Sequence, residues 1–177
     1  MIDYVHIASA VLALLLGVIV ILQPKGTRRH VITGRLYGLS MLTVNGAALI
    51  GYFAHGHWGP FHTLAVISLA TLAAGMIPFL LGPRAPGDVT RHGYFMAWSY
   101  VGLVAAGFSQ LMTKTLAQDA WLSVALPSAI IVLIGGFIIH VRMPDAVASG
   151  LRNRTARIAA RVAVKLATND RARSSAG

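Results

Sequence analysis

The 177-residue sequence contains no cysteine, no glutamate and only five aspartates. Without cysteine the chain has no disulfide, no thiolate metal site, no cysteine-ligated iron–sulfur cluster and no covalently attached c-type haem. The aspartates are all terminal, loop or tail residues, so an ion-coupled transporter with a carboxylate near the membrane midplane is disfavoured. A hydrolase is also disfavoured, because neither Ser-His-Asp nor His-Glu-x-x-His spacing occurs. Any bound metal must be held by nitrogen, oxygen or methionine sulfur.

Charge is scarce throughout: charged residues make up 11% of the chain and hydrophobic residues 56%. Soluble domains carry about 25% charged residues, whereas here whole stretches of roughly 20 residues carry none. This composition predicts an all-α integral membrane protein. The net charge of +10 comes from cations confined to a few loops and the tail. That distribution indicates membrane orientation and no nucleic-acid partner.

The apolar stretches predict five transmembrane helices, each near the length that a hydrocarbon core of roughly 30 Å requires. Together they form a transmembrane domain over residues 1–142. Proline and glycine interrupt the apolar pattern at three of the four joints between the spans. The spans are placed near 2–22, 30–54, 60–82, 92–112 and 119–141.

Positive residues are retained on the cytoplasmic side of a span, and here they alternate between joints. The first and third joints and the segment after the fifth span contain Lys or Arg, whereas the second joint has neither and the fourth has only Lys114. This pattern predicts a multi-pass protein of the bacterial cytoplasmic membrane with its N-terminus outside and its C-terminus inside. Trp58 and Trp121 then fall at the outer boundary, where amphipathic rings prefer to lie. Because Asp3 stands where a signal peptide has basic residues, the first span is predicted to be uncleaved.

Residues 143–168 predict a cytoplasmic helix that lies on the membrane surface. Apolar residues share one face at helical spacing, cations form a stripe beside it, and alanines occupy the far side. The apolar face consists of Val147, Leu151, Ile158, Val162 and Leu166, and the stripe consists of Arg154, Arg157, Arg161 and Lys165. Anionic lipid of the inner leaflet is the expected partner; the alternative is a partly ordered basic tail that helps to fix the topology. Residues 169–177 are predicted to be disordered.

A weak tandem repeat covers the first four spans. Its first copy has His6, an apolar run and the segment 24–30; its second has His62, an apolar run and the segment 83–92. Each copy is a two-helix hairpin with a histidine near the start of both helices. The repeat predicts a four-helix bundle whose two halves are related by an axis along the membrane normal, with the fifth span added.

The histidines of the repeat fall at two depths. His6 and His62 begin spans that run inward and lie near the outer face, whereas His30 and His92 begin spans that run outward and lie near the inner face. In a bundle wound in sequence order, each pair comes from diagonal helices, which can hold a flat macrocycle between them. We therefore predict that each pair gives two axial imidazoles to the iron of haem b, with one haem or two per chain.

Three arginines stand close to the inner histidines and are candidates to bind haem propionates: Arg29, Arg35 and Arg91. Arg35 lies about one turn inside its span. A cation at that depth either faces the interior of the bundle or snorkels to the interface.

Other uses of the histidines stay open. Histidine is common at membrane interfaces, so a structural, interfacial placement is the alternative for each residue of the two pairs. His55 and His57 in the second joint could form a surface Zn or Cu site with His62. His140, at the inner end of the fifth span, is a spare ligand or another interfacial residue.

Two resemblances add to these observations. The segments PKGTRRH (24–30), GRLY (34–37) and RHGYFMAWSY (91–100) resemble a bacterial family of predicted multi-pass membrane proteins with a domain of unknown function. That likeness covers roughly residues 1–142 and implies a fold without an activity. The order and depth of the histidines are also similar to those of the two-haem b-type transmembrane cytochrome superfamily, in which alternating helices supply one histidine pair to each leaflet.

The cytochrome resemblance implies the pairs His6 with His62 and His30 with His92. In that superfamily the ligands lie about a turn or more inside the span, whereas His30, His62 and His92 lie close to span ends.

The leading functional interpretation is a b-type haem membrane protein that carries electrons across or within the bacterial inner membrane, and so a transmembrane oxidoreductase. A quinone or a redox partner protein is the expected partner. The alternative is a cofactor-free accessory or structural protein that binds partners through its spans and its basic tail.

Overall fold

The computed structural model describes residues 2–56, 58–81, 85, 87–116 and 120–174. Within these residues the secondary structure is entirely helical, with no β-strand, and the predicted all-α class is confirmed. The five helices are α1 (Ile2–Leu22), α2 (Arg28–His55), α3 (Pro60–Leu80), α4 (Asp88–Leu116) and α5 (Ala120–Ser174).

Local sequence explains where the helices begin. α2 follows Gly26, whose φ of 74° is a left-handed conformation that glycine adopts readily. The hydroxyl of Thr27 then accepts a hydrogen bond from the His30 amide at 3.2 Å, as an N-cap does. α4 begins at Asp88, whose carboxylate accepts a hydrogen bond from the Ala85 amide at 2.7 Å. A negative charge is favourable there, at the positive end of the helix dipole.

Helix packing follows chain order. α1 packs against α2 and α4, α3 packs against the same two helices, and α5 packs along α4 and contacts α3. Over the described residues, no Cα atom of α1 comes within 8 Å of one in α3, and none of α2 comes within 8 Å of one in α4. Equivalent helices of the tandem repeat are therefore kept apart by the helices between them.

The core lies halfway along the helices and is closely packed. Its buried side chains come from four helices: Ala13, Tyr37, Met41, Leu72 and Leu103. A Cβ atom added at Gly17 would lie 2.3 Å from ring carbons of Tyr100, so only glycine fits between α1 and α4 at this level. Small residues that permit close backbone approach are typical of helix contacts in membranes.

Polar side chains join neighbouring helices around this core. The Tyr37 hydroxyl and Ser99 Oγ lie 2.9 Å apart between α2 and α4. Asn45 Nδ2 donates to Ser68 Oγ at 3.0 Å between α2 and α3, and Ser109 Oγ donates to the Val124 carbonyl at 3.2 Å between α4 and α5. The midspan polar residues therefore satisfy helix contacts, as interhelical hydrogen bonds do in membrane proteins.

Many large apolar side chains face outward. Leu39, Leu133 and Phe137 are 62%, 74% and 69% exposed. Soluble monomers rarely expose contiguous apolar patches of this kind. An apolar exterior is the surface that a lipid environment covers.

Four segments of the described residues are long and apolar enough to cross a membrane: Ile2–Leu22, Pro60–Leu80, Asp88–Thr113 and Leu122–Thr168. The part of α2 whose side chains are described, residues 28–51, is not among them. Arg35 and Asn45, together with several Gly, Ser and Thr residues, lower the average hydropathy of this part. The span predicted at 30–54 stays a prediction.

Helix bounds differ most from the sequence prediction at the C-terminal end. α1 has the predicted bounds, but α5 is continuous over 55 residues, across the predicted break near 142 and through residues 169–174, which were expected to be disordered. Pro144 does not end the helix, because its fixed φ is helical and only the hydrogen bond to the His140 carbonyl is lost. Residues 175–177 lie outside the described part of the chain.

Candidate functional site

Three segments meet at one end of the helices, which we call the basic end. It is formed by the joint between α1 and α2, the start of α4 and the middle of α5, and it carries Lys25, Arg28, Arg29 and Arg91. A Cβ atom at Gly150 of α5 would lie 3.3 Å from Lys25 Cβ, so glycine lets α5 approach this joint closely. The opposite end, with His6 and the start of α3, is called the far end.

Lys25 closes the end of α1. Its Nζ donates hydrogen bonds to the carbonyls of Val20 at 2.9 Å and Ile21 at 2.6 Å. These are last-turn carbonyls, which have no donor within their own helix, and a cation there also complements the helix dipole. The ammonium is half-buried, and this burial lowers the pKa of Lys25 below its usual value.

The His92 ring is fixed by a backbone carbonyl. Its Nδ1 lies 2.8 Å from the carbonyl oxygen of Gly75 on α3, and because a carbonyl only accepts, Nδ1 carries the proton. In the neutral ring Nε2 then has a free lone pair. The Phe79 ring packs on the imidazole, with centroids 4.7 Å apart. This is the arrangement by which metal-binding histidines are oriented.

Gly75 allows the close approach of α4 that this hydrogen bond needs. A Cβ atom there would lie 3.1 Å from Met96 Sδ. Pro78, one turn further along α3, removes the helical donor to the Ala74 carbonyl and not the donor to Gly75. Sequence analysis missed the pairing of His92 with Gly75.

His30 lies at the start of α2 with its Nδ1 buried and without a hydrogen-bond partner. The ring interacts with the Val20 carbonyl and is close enough to His92 for an electrostatic interaction. The two histidines belong to helices whose Cα atoms do not come within 8 Å of each other in the described residues.

A second unpartnered polar atom lies nearby. Gln23 Nε2 donates to Thr33 Oγ1 at 3.3 Å, one turn beyond His30, while Gln23 Oε1 is buried without a partner. Leaving such a group unpaired costs about 1–3 kcal/mol. Unsatisfied buried atoms are therefore expected where a further species completes a site. His30 Nδ1 and His92 Nε2 are the ring nitrogens at this end that would be able to hold such a species.

The far end uses its histidines differently. His6 Nδ1 lies 3.1 Å from the carbonyl oxygen of Val44 on α2, so its Nδ1 donates, as in His92. His62 Nδ1 accepts a hydrogen bond from the Gly59 amide at 2.9 Å, which leaves the proton of the neutral ring on Nε2. The Trp58 and His62 ring centroids are 5.6 Å apart. His62 therefore caps α3, and its ring is in the tautomer that does not offer Nε2 to a metal.

The three candidate arginines lie at the surface. Arg29 and Arg35 are exposed, so Arg35 does not face the interior of the bundle, and the snorkelling alternative describes it. Arg91 is half exposed and its guanidinium pairs with Asp88 Oδ1 at 3.1 Å. Arg91 also borders an outward-open apolar cleft of about 360 Å³ between α3 and α4, which includes Pro78 and Phe95.

The remaining histidine predictions have mixed outcomes. The side chain of His55 and the whole of His57 lie outside the described residues. His140 is exposed, which fits an interfacial residue. Among the side chains that are described, no group of three or more His, Cys, Asp or Glu residues is arranged to hold a metal ion. A haem needs only two protein ligands, since the porphyrin supplies four nitrogens.

Comparison with known proteins gives one match. A family model described as a predicted membrane protein, DUF2306, matches residues 3–148. No curated protein and no solved structure matches the chain. The matched region contains α1 to α4 and the part of α5 that packs against them, and it stops two residues before Gly150.

Proposed function

The chain belongs to the DUF2306 family of predicted membrane proteins, and from this premise we propose that it binds one b-type haem between His30 and His92 and carries electrons across or within the membrane. One observation carries this function. Two imidazoles from helices whose backbones do not touch lie within electrostatic range of each other, one oriented by a carbonyl and the other with an unpartnered nitrogen.

In this function the protein crosses the bacterial inner membrane five times, with the basic end and the C-terminus in the cytoplasm. Clustered Lys and Arg beside span ends support that orientation. The outward-facing apolar side chains support burial in lipid. The packing order α1, α2, α3, α4 and back to α1 supports a four-helix bundle with α5 added beside α4.

When bound, haem supplies a one-electron redox centre, and the protein supplies its ligands, orientation and surroundings. The hydrogen bond from His92 to Gly75 holds the ring in position and increases the basicity of Nε2. Phe79 shields one side of that ring. Lys25 and Arg91, at the same end, provide cations for the propionates. The apolar cleft beside Arg91 gives a lipid-soluble quinone an approach to the same turn of α4.

A second haem between His6 and His62 would require His62 to release the Gly59 amide and to move its ring proton. The described geometry favours the basic end, because neither change is needed there. A stoichiometry of one haem per chain follows.

A cofactor-free accessory or structural protein is the competing function, and a specific observation favours it. His92 already contacts the Gly75 carbonyl, and His62 already caps α3. Histidines with such structural contacts need no metal. The two functions differ in whether the protein absorbs visible light.

The deciding experiment is a dithionite-reduced minus oxidised visible spectrum of the purified full chain in mild detergent, with haem quantified per chain. Sharp b-type bands at one haem per chain are expected. A value of two would extend the function to the His6 and His62 pair. Absence of bands in protein from cells supplied with ample haem would contradict haem binding and leave the accessory function.

A further inference from the structure

We propose that the tail helix, residues 151–168 of α5, binds the headgroups of anionic phospholipids at the membrane surface beside the basic end. This inference is independent of haem. It rests on where α5 leaves the other helices, on which of its faces are exposed, and on the charge that those faces carry.

The contacts of α5 with α4 and with the Lys25 joint determine where along the bundle the tail helix begins. A Cβ atom at Gly93 of α4 would lie 3.2 Å from Met143 Sδ and 3.5 Å from Val147 Cγ2, and Gly150 reaches the Lys25 joint. Beyond Gly150 every residue whose side chain is described, up to Thr168, is exposed. The tail helix therefore starts at the level of the loop cations, and its described side chains are exposed.

Along one face of α5, the side chains change from small and apolar packing residues to cations. Met143, Val147 and Gly150 follow one another at spacings of four and three, and face α4 and the joint. The same helical line continues to Arg157 and Arg161. Packing residues are thus replaced by cations at the point where protein contact ends. Such a switch is expected where a helix passes from protein into a layer of negative charge.

An apolar face runs beside these cations. Leu151, Ile158, Val162 and Leu166 recur at intervals of seven, four and four and are 44%, 54%, 51% and 59% exposed. An amphipathic helix with a cationic flank buries such a face at the boundary between headgroups and acyl chains.

The positive charge of the tail helix favours anionic lipid over a second copy of the chain as its partner. Residues 151–168 contain five Lys or Arg and no Asp or Glu: Arg152, Arg154, Arg157, Arg161 and Lys165. Pairing with a second copy of the same helix would bring these cations together without acidic partners, whereas stable helix pairs place opposite charges beside the apolar seam. Anionic phospholipid matches both the charge and the apolar face.

The absence of cysteine makes the test direct, because one introduced thiol can be labelled alone. The full-length variant Val162→Cys carries an environment-sensitive fluorophore on the apolar face. The full-length variant Ala160→Cys carries it on the opposite face. Each is placed in nanodiscs that hold one chain, made of phosphatidylcholine alone or with phosphatidylglycerol. We expect a blue shift of the label at 162 only in the discs that contain phosphatidylglycerol, and no shift of the label at 160.

Neutralising the stripe is the matched control. The combined substitution Arg157→Gln, Arg161→Gln and Lys165→Gln removes three charges and keeps polar side chains of similar helix propensity. With a contribution of about 1 kcal/mol per charge near an anionic surface, it should reduce the surface-bound population relative to the free one on the order of a hundredfold. Circular dichroism verifies that the variant is equally helical.

Three results would overturn lipid binding by the tail helix. The first is equal emission of the label at 162 in both kinds of disc. The second is a phosphatidylglycerol effect that the triple variant retains. The third is a shift that occurs only when a disc holds two chains, which would identify a second copy as the occupant.

Discussion

The basic end and the far end each have two histidines, but the helix starts beside them are capped differently. α2 begins after Thr27, whose hydroxyl accepts a hydrogen bond from the His30 amide, so the His30 ring does not cap its helix and interacts with the Val20 carbonyl. α3 begins after Gly59, which has no side chain, and the ring of His62 accepts the Gly59 amide and forms the cap instead. The residue three positions before each histidine therefore determines whether the ring caps the helix.

Substitution of single histidines gives the largest expected contrast between the ends. His92→Gly should abolish the b-type bands, because it removes one axial ligand, while His62→Gly should leave haem per chain unchanged. His140→Ala, at an exposed position, is the control for loss of a histidine as such. Added imidazole should restore the bands in His92→Gly, which separates ligand loss from misfolding. Equal loss of colour in the two glycine variants would refute the assignment to the basic end.

A new cap at the far end should make it resemble the basic end. Gly59 has extended backbone angles, φ −124° and ψ 173°, which suit a serine N-cap. Gly59→Ser should relieve the His62 ring of its capping role and raise haem towards two per chain. Gly59→Ala, which adds no hydroxyl, is the matched control and should stay at one. If neither variant changes the haem content, the cap is not what keeps the far end from binding haem.

In the core between the two ends, the free energy of unfolding should depend on side-chain volume and not on ligand binding. Gly17→Ala should lower the free energy of unfolding by about 1–3 kcal/mol, because the added methyl group overlaps Tyr100. Gly102→Ala adds the same group where nothing lies within 4 Å and should not destabilise the protein. Denaturation in a mild detergent measures both. A Gly17→Ala protein as stable as wild type would show that α1 and α4 are less closely packed than described.

The smallest expected effect concerns Lys25 at the basic end. Burial lowers its pKa in the folded protein below the usual 10.5, so between the two values the unfolded chain binds more protons and stability rises with pH. Lys25→Arg stays charged throughout this range and should lose that part of the pH dependence. Melting temperatures from neutral pH to pH 11 compare the two proteins. Parallel curves would mean that Lys25 is not desolvated in the folded state.

Much of the fold could be predicted from the sequence because apolar run length determines helix length in a membrane protein. The bounds of α1 agree with the prediction, and the Pro and Gly joints lie between the helices. The continuous course of α5 through Pro144 could not be predicted, since a proline is compatible with both a break and a continuation. The helix that crosses this point is held by contacts of Met143 and Gly150 with distant segments.

The candidate site was only partly predictable. Spacing placed His30 and His92 at one end of the helices, and the structure brings them into electrostatic range. Which ring nitrogen is occupied depends on partners that are distant in sequence, such as the Gly75 carbonyl for His92. The surface position of Arg35 likewise depends on which face of α2 packs inward, and α2 has no clear apolar stripe to indicate that face.

The length of α5 has a geometric consequence. At 1.5 Å per residue, a helix of 55 residues measures about 80 Å, whereas a membrane including its headgroups is about 40–45 Å thick. Roughly half of α5 must therefore lie outside the bilayer or along its surface. Gly150 holds α5 against the Lys25 joint. Because the helix is continuous through this contact, a sideways displacement of the tail would also tilt the part of α5 that packs on α4.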